Sequence, residues 1–401
     1  MVPLIFPAIY AIWEKVRRIS CECRHENAKM RLAKGGKACI MWIDAENGSV
    51  YTPRMEGGMP RVNIYDISRH AGVSIATVSR VLNNSPHVSE ETRRKVMKVI
   101  DGCGYVPNAF ARGLGLNTMK TIGLLCPDAA DPYLARALAC LEHAFRQKHY
   151  DCLLSCTNRD LAARRQGVEL LTSRHVDGMV LMGSTFIEEN SEDNAYIRQA
   201  ATNVPVVLLN GSFQCPNVFC VLCDDERAMK EAMNQLLDSG CKRVLYLYHS
   251  SNNSGQRKLA GCRDALAAHN LPVDETLMRR FDADKFSIHA VRDCLLELER
   301  DGLQFDAVLA SEDVLAVGAM KYAQAVGRRV PENLSVVGYN NSNLCLCTEP
   351  ELTSVDNRLP AICERIVETM LGVLEGREMP EKTVFTAEII QRGSTRAAQD
   401  K

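Results

Sequence analysis

With 401 residues the chain is long enough for two to three domains. Its 46% hydrophobic and 24% charged residues are those of a globular protein with a sizeable core, which excludes a disordered, fibrous or low-complexity polypeptide. The formal net charge of −1 conceals an asymmetry: residues 59–118 carry eight Lys and Arg against four acids, residues 1–58 carry +3, and residues 119–401 carry −8. A basic module joined to an acidic one points to a polyanion meeting only the first.

The 17 cysteines are scattered at irregular intervals, and the CxC pairs Cys21/Cys23 and Cys345/Cys347 lack partner ligands nearby. They suit small apolar core residues in a reducing compartment better than disulfides or a metal site. The apolar run from Met1 to Trp13 is shorter than the roughly 20 residues of a spanning helix, no basic segment precedes it, and no AxA-like cleavage site follows it. These features favour a cytoplasmic protein. Residues 14–58 show no sustained periodicity and end in Met55-Glu56-Gly57-Gly58-Met59. Glu-Gly-Gly is encoded by a purine-rich run resembling a ribosome-binding site, so residues 1–58 are expected to be leader sequence ahead of a start at Met59, the alternative being a genuine flexible arm.

From Asn63 the chain becomes strongly patterned. Ile64, Ile67 and Ala71 recur at helical spacing, and Gly72 offers a left-handed stop. Ser74 suits the cap of a second helix with Val78, Val81 and Leu82 inward. Ser89 suits the cap of a third, whose first turn holds Glu90 and Glu91 where carboxylates favour the positive end of the helix dipole, and whose apolar stripe is Val96, Val99, Ile100 and Cys103. Packing Val78 and Leu82 inward turns Ile75, Ala76, Ser79 and Arg80 outward at the start of the second helix, where a recognition helix meets base edges. Arg80 suits bidentate contact to guanine, and Ile75 and Ala76 suit thymine methyls. Ser74, Thr77, Asn83 and His87 suit phosphate positioning. Asn63 and Tyr65 complete the set of DNA-contact candidates on the bundle. The plain alternative is a three-helix bundle that binds protein.

The residues that carry this pattern are Tyr65-Asp66-Ile67-Ser68, Ala71-Gly72-Val73-Ser74, Thr77 to Asn83, Val88 to Arg93 and Gly104-Tyr105-Val106-Pro107-Asn108. In this long ungapped signature, and over residues 61 to about 395, the chain resembles the lactose-repressor/galactose-repressor (LacI/GalR) family. The resemblance implies that residues 59–107 form a helix-turn-helix domain and 108–118 a hinge that folds on operator DNA. Asn108 and Ala111 would contact DNA there, and Leu114 would wedge into the central minor-groove step, unstacking and kinking the duplex. Gly113 and Gly115 each lower helix propensity by roughly 1 kcal/mol relative to Ala, so the free hinge should be disordered. The stretch from Gly115 to Met119 lacks the basic residues frequent in relatives.

Beyond Lys120 apolar runs alternate with amphipathic segments. Strands are expected at residues 121–126, 151–156, 178–182, 205–209, 243–248, 307–310 and 335–338, and helices at 132–148, 159–174, 226–239, 256–268 and 314–326. This alternation argues for α/β architecture with doubly wound parallel sheets. Two such sheets, at about 119–221 and 222–355, match the two-lobed periplasmic-binding-protein-like domain of the family. They give an effector-binding and dimerisation domain over 119–395 with crossovers near 221, 356 and 383. Ligands of open sheets gather at the carboxyl ends of strands, so the cleft between lobes is the expected site.

Residues matching effector contacts in relatives are Asp131, Pro132, Tyr133, Leu134, Asn252, Ser254, Lys258, Phe281, Asp313 and Asn340. Tyr133, Leu134 and Phe281 suit a packed core equally well, Lys258 a solvated helix, and Asn340 the cap of a turn. Many relatives carry Arg at the place of Lys258 and Asp at that of Asn340. Lysine lacks the bidentate fork of arginine, and Asn removes an acceptor charge. A charged or phosphorylated metabolite is therefore expected rather than the usual hexose. The family implies a homodimer on a pseudo-palindromic operator, and no leucine heptads of a tetramer zipper follow Thr395. No cofactor, metal or catalytic role is expected, since no phosphate loop, GxSxG elbow or paired carboxylates are found. The rival readings are a transport-type ligand-binding protein, which shares the two-lobed shape, and an α/β enzyme.

Overall fold

The structure is a computed structural model, and it describes residues 42–43, 50–51, 63–82, 85–103, 118–282 and 287–397. The chain divides into two units, residues 1–107 and 108–401. In the first, strands β1 (Trp42–Ile43) and β2 (Val50–Tyr51) form a short antiparallel pair, which the unpatterned stretch around them does not announce. The bundle follows as α1 (Ile64–Ala71), α2 (Ile75–Leu82) and α3 (Glu90–Cys103). Its core is Ile67, Ala71, Val78, Val81, Val96 and Ile100, with Ile64, Val73, Leu82, Val88, Val99 and Cys103 packed around them.

Local chemistry sets the bundle's ends. The Asn63 side chain accepts from the Tyr65 and Asp66 amides at 2.9 and 3.2 Å, and the Asp66 carboxylate returns a bond to the Asn63 amide at 3.0 Å, closing a capping box. Helix α1 stops at Gly72, whose φ of 62° lies in the left-handed region that glycine enters without a Cβ penalty. Ser74 Oγ accepts from the Thr77 amide at 3.2 Å and Ser89 Oγ from the Thr92 amide at 3.3 Å. The Arg93 guanidinium then donates to the Ser85 carbonyl at 2.8 Å, tying the turn after α2 to α3.

The second unit holds two six-stranded sheets. The first is built from β3 (Thr121–Cys126), β4 (Asp151–Cys156), β5 (Gly178–Met182), β6 (Val206–Leu209), β7 (Val218–Cys223) and β13 (Lys382–Phe385). They lie in the order β13-β7-β6-β5-β3-β4, all parallel. The second is built from β8 (Val244–Tyr248), β9 (Met278–Arg280), β10 (Ala307–Ala310), β11 (Ser335–Tyr339), β12 (Thr353–Asp356) and β14 (Glu388–Ile390). Their order is β14-β12-β11-β10-β8-β9, parallel except for the antiparallel β12/β14 edge. Strands β5, β6, β10 and β11 are buried along their whole length, as parallel strands covered on both faces must be.

Helices α4 (Pro132–Gln147), α5 (Leu161–Ser173) and α6 (Ala195–Ala201) serve the first sheet, and α7 (Asp225–Asp238), α8 (Asn253–Ala268), α9 (Ile288–Arg300) and α10 (Asp313–Val326) the second. The chain passes from the first lobe to the second between β7 and α7. It returns after β12 through α11 (Leu359–Leu374), which packs on α4, β6 and β7, and crosses again between β13 and β14. One apolar core runs from Ile122 and Leu124 through Met229 and Met233 to Tyr246 and Val337, so both lobes share buried surface. No helix among the described residues is long and apolar enough to cross a membrane.

Candidate functional site

Two surfaces carry the predicted residues. On the bundle, α2 turns Val78 and Val81 into the core, and its 3.6-residue period then leaves Ile75, Ala76 and Arg80 exposed, Ile75 at 39%. Tyr65, on the first turn of α1, is 64% exposed. Ser79 and Thr77 are half-buried, and Ser74 and His87 are exposed. The Arg80 side chain has no hydrogen-bond or ion-pair partner among the described residues. Asn63, named as a DNA contact, spends its side-chain oxygen on the cap of α1, and Ser74 Oγ does the same for α2, which leaves the side-chain NH2 of Asn63 as a donor for a phosphate. Asn83, Asn108, Ala111 and Leu114, with residues 108–117 of the hinge at 108–118, lie outside the described residues.

In the second unit a cleft of about 380 Å³ opens where the carboxyl ends of the strands of both sheets face each other. The first lobe lines it with the turn after β3 (Pro127 to Leu134), Arg159 after β4, Ser184 and Thr185 after β5 and Asn210 after β6. The second contributes His249 to Lys258 after β8, Ser311 and Glu312 after β10 and Asn340 after β11. Asp131 caps α4, accepting from the Tyr133 and Leu134 amides at 2.9 and 3.0 Å. Asn252 caps α8 at 3.0 Å. The Tyr133 hydroxyl accepts from the Asn210 amide at 3.1 Å, and the backbone of Asn340 sits at a φ of 96° while its side chain accepts from Asn357 at 3.0 Å.

Lys258 is 9% exposed. Its ammonium donates to the Ser311 carbonyl at 3.1 Å and lies 3.6 Å from the centre of the Tyr339 ring, so hydrogen bonding and cation–π attraction hold the charge in place of solvent. The Tyr339 hydroxyl in turn donates to Asp225 at 2.6 Å, and Ser254 donates to the other oxygen of that carboxylate at 2.5 Å. Across the cleft floor His249 Nε2 meets Glu312 Oε1 at 2.5 Å. Burial pushes the Glu312 carboxyl up, but its bond to His249 and the charges of His249, Lys258 and Arg159 outweigh burial and bring it below its ordinary value. Asp131 moves the opposite way, raised by burial and by the Glu312 charge against its two backbone hydrogen bonds. The Thr185 and Ser311 hydroxyl oxygens are buried and have no hydrogen-bond partner among the described residues. A buried hydroxyl without a partner is costly, and these two line the place a ligand would occupy.

Residues 63–108 match the model described as bacterial regulatory proteins, lacI family, and residues 233–395 the model described as periplasmic binding protein-like domain. An HTH-type transcriptional regulator of Lachnoclostridium phytofermentans is 46% identical over 334 residues, which cover 83% of this chain and 99% of the relative. The chain belongs to the LacI family.

Among solved structures, the lac repressor dimer bound to operator and the anti-inducer ONPF is 26% identical, with a TM-score of 0.75, over 84% of this chain and 100% of that one. The transcriptional regulator CelR–cellobiose complex is 27% identical, with a TM-score of 0.60, over 83% and 100%. This LacI-family chain is therefore a DNA-binding transcriptional regulator whose second unit is the family's effector-binding domain. Of the predicted effector residues, Asp131, Pro132, Tyr133, Leu134, Asn252, Ser254, Lys258 and Asn340 come together in the cleft. Two are placed elsewhere. Phe281 is buried in the second lobe's core beside Leu247 and Leu277, and Asp313 is buried at the start of α10, accepting from Ser354 Oγ at 2.6 Å and the Ser342 amide at 2.7 Å. The cleft also holds Arg159, Asn210, His249 and Glu312, which the sequence did not single out. A polar residue directly after an apolar strand run was the available signal, and each of the four obeys it within three positions.

Proposed function

We propose that α2 enters the major groove of an operator, with Arg80 at a guanine edge, Ile75 and Ala76 against thymine methyls, and Ser74, Thr77, Asn83 and His87 on phosphates. Ser79, Asn63 and Tyr65 flank that surface, and Asn108, Ala111 and Leu114 of the hinge engage the minor groove. The observation that carries this reading is the exposure of Ile75 and Ala76 beside Arg80, which has no partner among the described residues, on one helix face. A twofold dimer would place two such helices on a pseudo-palindromic site in the cytoplasm, as the lac repressor dimer sits on its operator. Selection of bound sequences from a random duplex pool by the full chain tests it. A recovered palindrome supports the reading, and an absence of any preference at moderate salt, with or without cell metabolites, ends it. The chain acts by binding rather than by turnover, in line with its regulator relatives.

The effector reading follows from the cleft's charges. Glu312 restores the carboxylate that Asn340 lacks, so Asp128, Asp131 and Glu312 line the cleft together with Lys258, Arg159 and His249, with the amides of Asn210 and Asn252 among them. Charges of both signs, several amides and two hydroxyls without a partner among the described residues suit a neutral, hydroxyl-rich molecule, and the related CelR binds cellobiose. A charged or phosphorylated metabolite is the second reading, favoured by the pairing of exposed Arg159 with Lys258. Calorimetry with cellobiose, glucose and glucose 6-phosphate separates the two: heat from a neutral sugar supports the first, and heat from the phosphate ester alone supports the second.

A further inference from the structure

Strands β3 and β4 end in the registered pair Cys126 and Cys156. Registered residues of neighbouring strands point to the same face, about 4.8 Å apart along the sheet, which lies inside the range of backbone separations a disulfide accepts. The two sulfurs are 3.8 Å apart. Cys156 is exposed and Cys126 is buried. Both stand at the lip of the cleft: Cys126 directly precedes Pro127 and Asp128, and Cys156 lies three residues before Arg159.

We propose that Cys126 and Cys156 are a reversible thiol–disulfide pair, oxidised by a hydroperoxide, that fastens the two loops forming the first-lobe side of the effector cleft. With hydrogen peroxide, the exposed Cys156 sulfur attacks one peroxide oxygen, the O–O bond breaks, and the second oxygen leaves as water after taking up a proton. Cys156 is then a sulfenic acid. The Cys126 sulfur attacks the Cys156 sulfur, the S–O bond breaks, and a second water leaves with the proton of Cys126. Two thiols have lost two electrons and peroxide has gained them. Burial first, and the nearby Cys156, push the Cys126 thiol up to about 12, which leaves the first step to the accessible sulfur, while the 3.8 Å separation of the two sulfurs supplies the proximity for the second.

The link joins Cys126, whose carbonyl already accepts from the Thr157 amide at 3.0 Å, to the strand on the open edge of the sheet. Its effect is local to the loops carrying Asp128, Asp131 and Arg159. The full chain, fully reduced and then treated with stoichiometric hydrogen peroxide, should lose about 2 Da per chain and two titratable thiols, both restored by dithiothreitol. Peptide mapping without reductant should recover the Cys126–Cys156 peptide as the main crosslink. Cys156→Ser, a change at an exposed position, should abolish that crosslink, and Cys126→Ser should leave Cys156 as a sulfenic acid captured by dimedone. Recovery of Cys126 as a free thiol while Cys156 is over-oxidised, or joined to another cysteine or a second chain, overturns the proposal.

Discussion

The Arg80 side chain has nothing to bind among the described residues of its own unit. Replacing it with alanine leaves the core of Val78 and Val81 untouched, so folding is expected to be unchanged. Discrimination at one base pair should fall by about 1–3 kcal/mol, read as a flattened ranking of operator variants at fixed salt. An unchanged ranking in Arg80→Ala removes the base-contact assignment. Glu312 offers a residue-scale test in the other unit. Because its folded carboxyl titrates below its ordinary value of 4.5, the stability it lends is fully present above that value and is lost as pH falls through the folded one. Glu312→Gln should therefore lie furthest below wild type in urea midpoint above pH 4.5, with the gap closing at lower pH. A gap independent of pH would mean the carboxylate charge is not what His249 and Lys258 hold.

Among the elements, the pair α7 and α8 shows why a small residue stands where it does. A Cβ on Gly261 would lie 2.0 Å from the Glu226 carbonyl oxygen and 3.1 Å from the Lys230 amide, both backbone, so neither can swing aside. Gly261→Ala must part the two helices. Overpacking of this kind costs about 1–3 kcal/mol, and the denaturant midpoint should drop with the m-value unchanged. The N-terminus of α8 carries Asn252, Ser254 and Lys258, so the same substitution should also weaken ligand binding. Element by element, the strands with continuous apolar runs, such as Thr121–Cys126 and Gly178–Met182, were legible to the residue. Strand β7 was passed over despite its six-residue apolar run, and β9, β12, β13 and β14 were not legible because they are three or four residues long and β9, β13 and β14 lie largely exposed or half-buried at a sheet edge. Their pairing comes from the sheet they join and leaves no periodic trace.

For the whole molecule, a ligand that binds the cleft should stabilise the second unit by about 2.7 kcal/mol at ~100 times its Kd. As an allosteric effector it should also shift operator affinity by roughly 5–150-fold, a coupling of about 1–3 kcal/mol. Thermal unfolding and operator titration with the same compound measure both. A compound that raises the melting temperature and leaves operator affinity unmoved would break the link between sensing and DNA binding.

Local patterns were enough for the DNA-reading bundle, since its caps, its left-handed stop at Gly72 and its outward face follow from spacing within forty residues. The alternation of strands and helices was equally readable, and the two-lobed fold followed from it together with the family resemblance. Tertiary structure decided the rest of the cleft's lining. Arg159, His249 and Glu312 come from three strand ends up to 153 positions apart, and the exclusion of Phe281 and Asp313 depends on which way a loop and a helix start turn once packed. The electrostatic balance of the site is a sum over groups that sequence distance keeps apart. Only the closing of two sheets on a shared core brings them within reach of one ligand.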